Sequence, residues 1–148
     1  MRIAICDDEE QERLNIKALV KRYAPELSIV LFPSADELLA AAKTTFFPLI
    51  FLDIEMDDTN GFDAAEELMS GSSQPLIVFV TKSTEYTIRG YDVAFHYLVK
   101  PLNEEKFYEV LKRALRLIIP QYFSFSSNGE LYRIPVQEIL YFESRNYM

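Results

Sequence analysis

Three aspartates, a threonine and a lysine stand directly after short apolar runs in this chain of 148 residues; they are Asp7, Asp8, Asp53, Thr81 and Lys100. Carboxylate oxygens are typical ligands of Mg²⁺, which also keeps several waters and binds phosphate oxygens. A hydroxyl group and a lysine beside such an ion can hold a phosphoryl group through hydrogen bonds and charge. The residue types therefore indicate metal-assisted phosphoryl chemistry, provided that the fold brings them together.

The elements that would position these residues alternate along the chain. Short apolar runs predict strands at residues 2–6, 49–52, 76–80 and 95–99, and the loosely alternating residues 27–32 predict another strand. Helical patterns follow the strands, with the weakest at residues 84–91 and the best at residues 103–119, where Asn103 is the expected N-cap and Pro120 the expected stop. Strands alternating with helices predict a flavodoxin-like, doubly wound parallel sheet with helices on both faces.

The carboxyl ends of parallel strands meet at one edge of a sheet, and open α/β sheets bind their ligands there. Asp53 follows the run Leu49–Leu52, so it is expected at this edge with the other four residues. Three carboxylates in one place repel each other and raise their pKa values unless a cation neutralises them. The alternative is that each residue only forms a turn or caps a helix, because Asp is common at such positions.

Composition excludes several classes of protein. The net charge of −8 gives this chain no overall attraction to nucleic acid or to an anionic membrane. The single cysteine, Cys6, excludes an internal disulfide framework and is expected to be a small core residue in a reducing compartment. Apolar runs are far shorter than the roughly 20 residues that span a bilayer. We therefore expect a cytoplasmic protein without membrane association.

The ordered set Asp7-Asp8, Asp53, Thr81 and Lys100-Pro101 resembles the receiver domain of two-component response regulators, over residues 1–119. The resemblance implies a five-stranded parallel sheet in the order 2-1-3-4-5. It also implies that Asp53 accepts a phosphoryl group from the phosphohistidine of a sensor histidine kinase. Asp8 would bind Mg²⁺ directly, Asp7 mainly through water, and Asp53 and the main-chain carbonyl of Glu55 would complete the set of ligands from the protein.

The resemblance also implies a switch. Thr81 would hydrogen-bond the phosphoryl oxygen, Lys100 would pair with it, and the Lys100–Pro101 peptide would be cis. Tyr97 matches the aromatic residue that changes rotamer with Thr81, so that the face formed by the predicted helix at residues 84–91 and the fifth strand changes and a homodimer could form. Two positions depart from the usual pattern of the family: Lys82 replaces a small residue, and Asp57 replaces a proline.

Residues 120–148 differ in character from the rest of the chain. Aromatic strand-like runs flank Ser126–Gly129, which is a strong hairpin signal. The segment Arg133–Ser144 resembles the start of a LytTR DNA-binding domain, which is all-β. We therefore predict a β-rich fragment at residues 120–148, after a receiver domain at residues 1–119. The resemblance implies that the parent protein binds DNA and regulates transcription.

Two other classes of protein are alternatives to the predicted response regulator. Haloacid-dehalogenase-type phosphatases also use an aspartate at a strand end, but they have a second aspartate two residues later as a general acid. Glu55 occupies that position here. A receiver fold that acts without phosphorylation would lack the acceptor, a metal ligand or the lysine, and this sequence retains all of them. The favoured function is that of a signalling protein rather than an enzyme with a separate substrate.

Overall fold

The computed structural model describes residues 1–82 and 94–126, and it describes side chains as far as residue 119. Five strands form one parallel sheet: β1 (Arg2–Cys6), β2 (Ser28–Phe32), β3 (Leu49–Leu52), β4 (Leu76–Thr81) and β5 (His96–Val99). Four helices are described: α1 (Glu10–Tyr23), α2 (Ala35–Ala42), α3 (Gly61–Met69) and α4 (Glu104–Ser126). The weak helix predicted at residues 84–91 lies outside the described residues.

The strand order is β2-β1-β3-β4-β5, which confirms the predicted order. The central strands are buried almost throughout, whereas the edge strands β2 and β5 are partly exposed. This pattern follows from the topology, because helices cover both faces of a parallel sheet and leave its inner strands apolar along their whole length. The fully apolar runs at residues 49–52 and 76–80 were therefore correctly interpreted as buried strands.

Alternate residues of the strands face opposite sides of the sheet. Ala4, Cys6, Ile50 and Leu52 belong to one buried cluster, which also contains the inward residues of α2 and α3. Ile3 and Ile5 point the other way. The helix α1 contacts β1, and its buried residues lie outside the cluster formed by α2 and α3. The sheet is thus covered on both faces, which confirms the predicted doubly wound fold.

Side-chain caps start two of the helices. The Ser34 hydroxyl accepts a hydrogen bond from the Glu37 amide at 3.2 Å and starts α2. The Asn60 side chain accepts one from the Phe62 amide at 2.6 Å and starts α3. Each cap satisfies an amide that the helix leaves without an internal partner, and such caps contribute about 1 kcal/mol. These caps fix where both helices begin beside the loops at the carboxyl edge.

The last helix differs from its prediction. The helix α4 runs from Glu104 to Ser126, past Pro120, so the prediction that Pro120 ends it is wrong. A proline inside a helix removes one backbone hydrogen bond but does not forbid further turns. Residues 120–126, predicted as the start of the β-rich fragment, are helical. The hairpin at Ser126–Gly129 and the LytTR-like segment lie beyond the described residues, apart from Ser126 itself.

Two compact units divide the chain, one comprising Met1–Glu104 and the other beginning at Glu105. In the second unit, the residues of α4 with the helical spacing noted in the sequence are buried, among them Phe107, Leu111 and Ala114. The predicted domain boundary between residues 119 and 120 stays a prediction. Among the helices that the structure describes, none combines the length and apolar character needed to cross a membrane.

Candidate functional site

The predicted residues follow the carboxyl ends of neighbouring strands. Asp7 comes directly after β1, Asp53 after β3 and Lys100 after β5, and Thr81 is the last residue of β4. Backbone hydrogen bonds continue past the strand ends, since the Asp53 amide donates to the Cys6 carbonyl at 3.0 Å and the Lys100 amide donates to the Thr81 carbonyl at 2.8 Å. These bonds fix the backbone from which the side chains project over one edge of the sheet.

Three carboxylates meet at this edge. One oxygen from each of Asp7, Asp8 and Asp53 lies within 4.8 Å of the others. Asp7 is fully buried and Asp53 is 7% exposed, whereas Asp8 is more open to solvent. The cluster is therefore anchored in the protein on one side and accessible on the other. This arrangement suits a cation that keeps part of its water shell.

Asp7 is held by several contacts. Its Oδ1 accepts a hydrogen bond from the Glu9 amide at 3.0 Å, and its Oδ2 accepts one from Lys100 Nζ at 2.7 Å. Its main-chain carbonyl accepts a hydrogen bond from Arg13 Nη1 at 2.8 Å. With both carboxylate oxygens engaged, Asp7 suits a ligand that contacts the ion through water, as the resemblance implies. Arg13, in α1, supports it from outside the cluster.

Lys100 is the buried cation of the site. Its side chain is 5% exposed, and its Nζ lies 2.7 Å from Asp7, 3.7 Å from Asp53 and 3.8 Å from Glu12. Burial acts to lower the pKa of Lys100, but the hydrogen bond to Asp7 and the charges of Asp53, Asp7 and Glu12 outweigh it and raise that pKa. Lys100 therefore stays charged. The Lys100–Pro101 peptide is cis, which confirms that prediction.

Burial and neighbouring charge act on the acceptor itself. They raise the pKa of Asp53 from an ordinary 3.8 to about 6, with burial as the largest cause, then the charge of Asp7, while Lys100 opposes both. Burial also raises the pKa of Asp8, followed by the charges of Asp7 and Asp57. Carboxylates that raise one another's pKa values in this way are expected in a site built to hold a cation.

The residues of the proposed switch lie near this edge. Thr81 is buried, and Tyr97 is half-buried on β5. The Tyr97 ring packs edge-on against Phe79, with 6.1 Å between the ring centroids. Phe79 is two residues before Thr81 on β4 and is itself buried. The positions are compatible with the role that the resemblance assigns to Thr81 and Tyr97.

Both departures from the family pattern lie at the solvent. Lys82 Nζ is 4.0 Å from Glu9 Oε2, and both side chains are more than half exposed. An ion pair in such a position contributes little to stability. Asp57 is exposed, and its charge acts on Asp8. Neither residue displaces a carboxylate or the lysine of the cluster.

Two residues of the site escaped the sequence interpretation. Glu12 reaches Lys100 from the first turn of α1, and its one available signal was its place in the acidic start of that helix. Gly61 lies against the acceptor, because a Cβ at its position would stand 2.3 Å from the Asp53 carbonyl oxygen and 2.6 Å from the Cα of Ile54. The Asn60-Gly61 pair is a common turn sequence, but it gives no sign of this contact.

The donor set fits Mg²⁺. It consists of oxygen atoms alone, with Asp7, Asp8 and Asp53 close enough to share one ion. Lys100 supplies one positive charge, which leaves the three carboxylates with an excess of negative charge. A hard divalent cation with retained waters satisfies both the geometry and the charge. Glu55, two residues after Asp53, is exposed, and the role of its carbonyl as a ligand stays a prediction.

The sequence is similar to those of known signalling proteins. Residues 3–112 match the family described as the response regulator receiver domain. The sensory transduction protein LytT of Enterococcus faecalis is 33% identical over 115 residues, which are 77% of this chain and 48% of that protein. The sensory transduction protein LytR of Streptococcus agalactiae is 31% identical over 121 residues, with coverage of 79% and 49%. The chain thus spans about half the length of these relatives.

Solved structures agree with this assignment. The response regulatory domain of protein mrkE from Klebsiella pneumoniae matches with a TM-score of 0.73 and 25% identity, over 77% of this chain and 94% of that one. The chemotaxis protein CheY4 of Vibrio cholerae matches with a TM-score of 0.68 and 24% identity, over 76% and 97%. The second likeness concerns the fold alone.

Proposed function

Because this chain belongs to the response regulator receiver family, with relatives of the LytT and LytR type, we propose that it is a phosphorylation-dependent switch. Asp53 accepts a phosphoryl group from the phosphohistidine of a sensor histidine kinase in a Mg²⁺-dependent reaction. One observation carries the proposal: Asp7, Asp8 and Asp53 converge within 4.8 Å, and Lys100 lies 3.7 Å from Asp53. These are the groups that the reaction requires.

The cluster would hold the metal before the transfer. Asp8 would supply a direct ligand, Asp7 would act mainly through water, and Asp53 and the Glu55 carbonyl would complete the set. When bound, Mg²⁺ neutralises the carboxylates and the charge of the incoming phosphoryl oxygens. Burial and the neighbouring carboxylates raise the pKa of Asp53, so this side chain would ionise more readily once the charge of the cluster is neutralised. Before the transfer, the ion pair between Asp7 and Lys100 keeps both side chains in place.

The transfer itself needs little from the protein besides position and charge. A carboxylate oxygen of Asp53 attacks the phosphorus, and the bond from phosphorus to the imidazole nitrogen of the kinase breaks. The electron pair stays on that nitrogen, so the kinase histidine leaves intact and Asp53 becomes an acyl phosphate. Lys100 and Thr81 bind oxygens of the phosphoryl group by charge and hydrogen bonding.

The new phosphoryl group would change the surface of the domain. It adds about −1.5 to −2 charges and three acceptor oxygens beside Thr81 and Lys100. Thr81 moves toward the phosphoryl group, and the space that Thr81 leaves admits the Tyr97 ring. Before phosphorylation, this ring packs against Phe79. The outer face of β5 then differs between the two states, and a homodimer through this face is the expected response.

The domain that responds to phosphorylation is expected to follow the receiver domain. Residues 120–148 include the LytTR-like segment, and we assign DNA binding and transcriptional regulation to a LytTR domain of the parent protein. A sensor histidine kinase and DNA are thus the proposed partners. We also propose a cytoplasmic location, in keeping with the buried free cysteine Cys6, which suits a reducing compartment.

Phosphorylation of the intact chain tests the proposal. With Mg²⁺ and acetyl phosphate, we expect the wild-type protein to gain about 80 Da, the mass of one phosphoryl group. Asp53→Asn removes the nucleophile and should show no gain, and chelation of Mg²⁺ should abolish the gain in the wild type. Mass spectrometry measures all of these samples.

The matched control is Asp57→Asn, which removes an exposed carboxylate four residues away and should leave the modification in place. Treatment with hydroxylamine should remove the added mass, because an acyl phosphate is labile and a phosphoester is not. Equal modification of Asp53→Asn and wild type, or modification that persists after chelation, would show that the acceptor or the metal requirement is wrong.

A further inference from the structure

The acceptor loop, residues 54–60, connects β3 to α3 and carries the Glu55 carbonyl. Its base is closed by a hydrogen bond of 2.8 Å from the Gly61 amide to the Ile54 carbonyl. Its first half is held by Met56, whose Sδ accepts a hydrogen bond from the Cys6 thiol at 3.7 Å. These contacts fix the two ends of the loop and leave the exposed half near Asp58 to be held in another way.

That half is tied to the start of α2. Asp58 Oδ2 accepts a hydrogen bond from the Asp36 amide at 2.9 Å. In the opposite direction, the Thr59 hydroxyl donates to Asp36 Oδ1 at 2.7 Å. Two neighbouring loop residues therefore make reciprocal hydrogen bonds with a single residue of the first turn of α2. Such a pair constrains both the position and the orientation of the loop.

The two hydrogen bonds between the loop and Asp36 do more than cap α2. Ser34 already caps α2 through the Glu37 amide, so the helix start has a side-chain cap of its own. Although burial acts in the opposite direction, hydrogen bonds from the backbone amides of Asp36, Asp58, Thr59 and Ala35 lower the pKa of Asp58. Asp58 thus remains charged near an acidic site, and its charge is directed toward the amides of α2 and its own loop.

We propose that Asp58 and Thr59 form a clamp with Asp36 that positions the acceptor loop, and with it the Glu55 carbonyl, for metal binding. Asp58 is a positioning residue in this scheme, because it acts on the ion through the loop backbone. Its effect on metal binding rests on the proposed function, whereas its effect on the loop does not. Outer contacts that orient metal ligands commonly change affinity by about 10- to 100-fold.

The experiment uses the full chain and two readouts. Hydrogen exchange of the amides in residues 54–60 reports on the loop without metal, and calorimetric titration with Mg²⁺ reports on the site. We expect Asp58→Ala to speed loop exchange about fivefold, as the loss of hydrogen bonds predicts, and to weaken Mg²⁺ binding about tenfold. Thr59→Val, which keeps the shape but loses the hydroxyl, should change both in the same direction by less.

Ser34→Ala is the matched control, because it removes the other cap of α2 and leaves the clamp intact. It should lower thermal stability while loop exchange and Mg²⁺ affinity stay within about twofold of the wild type. Asp58→Asn retains an acceptor oxygen and should restore most of the loop protection that Asp58→Ala loses.

Unchanged loop exchange in Asp58→Ala, or equal changes in Ser34→Ala, would overturn the clamp. If the wild-type protein fails to bind Mg²⁺ at millimolar concentration, the proposed function fails, and loop exchange alone then decides for or against the clamp.

Discussion

Gly61→Ala should destabilise the protein by about 2–3 kcal/mol, the cost of forcing extra volume into a packed site. The added Cβ would stand 2.3 Å from the Asp53 carbonyl oxygen, 2.6 Å from the Cα of Ile54 and 3.0 Å from the Asp53 carbonyl carbon. All three atoms belong to the backbone, so no flexible side chain can move aside. The contact can be relieved only by displacing α3 or the residue that carries the acceptor carboxylate.

The same displacement should weaken metal binding and phosphorylation, because Asp53 and the Glu55 carbonyl lie on the backbone that must move. Urea unfolding measures the stability, and calorimetric titration with Mg²⁺ measures the site. Gly71→Ala is the matched control, since a Cβ there meets its nearest atom at 4.0 Å and neither glycine has a left-handed φ. We expect its free energy of unfolding to change by less than about 1 kcal/mol. Equal stability of the two variants would contradict the contact at Gly61.

The strand-end residues were predictable because their signal is local. A buried parallel strand appears as a continuous apolar run, and the next polar residue then lies at the carboxyl edge. Asp7, Asp53 and Lys100 follow such runs, and Thr81 ends one. Because the strands were predicted to be parallel, these four residues were also predicted to meet at one edge of the sheet.

Residues whose importance depends on contacts distant in sequence were not predictable in this way. Gly61 approaches the Asp53 backbone only because α3 begins beside the end of β3, and nothing in its neighbours marks that distance. In the sequence, Glu12 is one of several acidic residues at the start of α1. Its contact with Lys100, which follows β5, exists only in the folded protein. Asp58 and Asp36 are both exposed acidic residues whose partnership requires the folded loop.

The end of α4 was predicted wrongly from a local signal, the proline at position 120. Pro120 predicted a stop, because proline lacks an amide hydrogen and disfavours the helical conformation of the residue before it. The helix nevertheless continues to Ser126. The apolar residues at helical spacing from Phe107 to Ile118 are buried, and their burial outweighs one lost hydrogen bond. A breaker residue predicts a boundary well only where the apolar pattern ends as well.

Asp53→Asn should make the metal-free protein more stable at neutral pH, by about 3 kcal/mol at pH 7.5. Burial, and then the charge of Asp7, raise the pKa of Asp53 from 3.8 to about 6, despite the opposing charge of Lys100. At about 1.4 kcal/mol for each pH unit, this difference gives the expected gain. Asparagine keeps the shape of the side chain and cannot ionise, so it removes the repulsion among the carboxylates.

The sign of the pH dependence follows from the proton balance. Between about pH 4 and pH 6, the folded state holds a proton on Asp53 that the unfolded state has lost. The Asp53 contribution to the free energy of unfolding therefore falls as the pH rises through this range and is constant above it. The advantage of Asp53→Asn over the wild type should shrink from about 3 kcal/mol at pH 7.5 to about 0.5 kcal/mol at pH 4.

Urea unfolding of both proteins at several pH values measures this difference. Asp57→Asn removes one negative charge from an exposed position nearby and should change the free energy of unfolding by less than about 0.5 kcal/mol. A gain in Asp53→Asn that persists at pH 4 would show that repulsion is not its cause. Saturating Mg²⁺ should reduce the gain at pH 7.5, because the ion binds the folded wild-type cluster and stabilises it by mass action. The repulsion within the metal-free cluster and the affinity of the cluster for a cation thus have the same origin, the burial of several carboxylates beside Lys100.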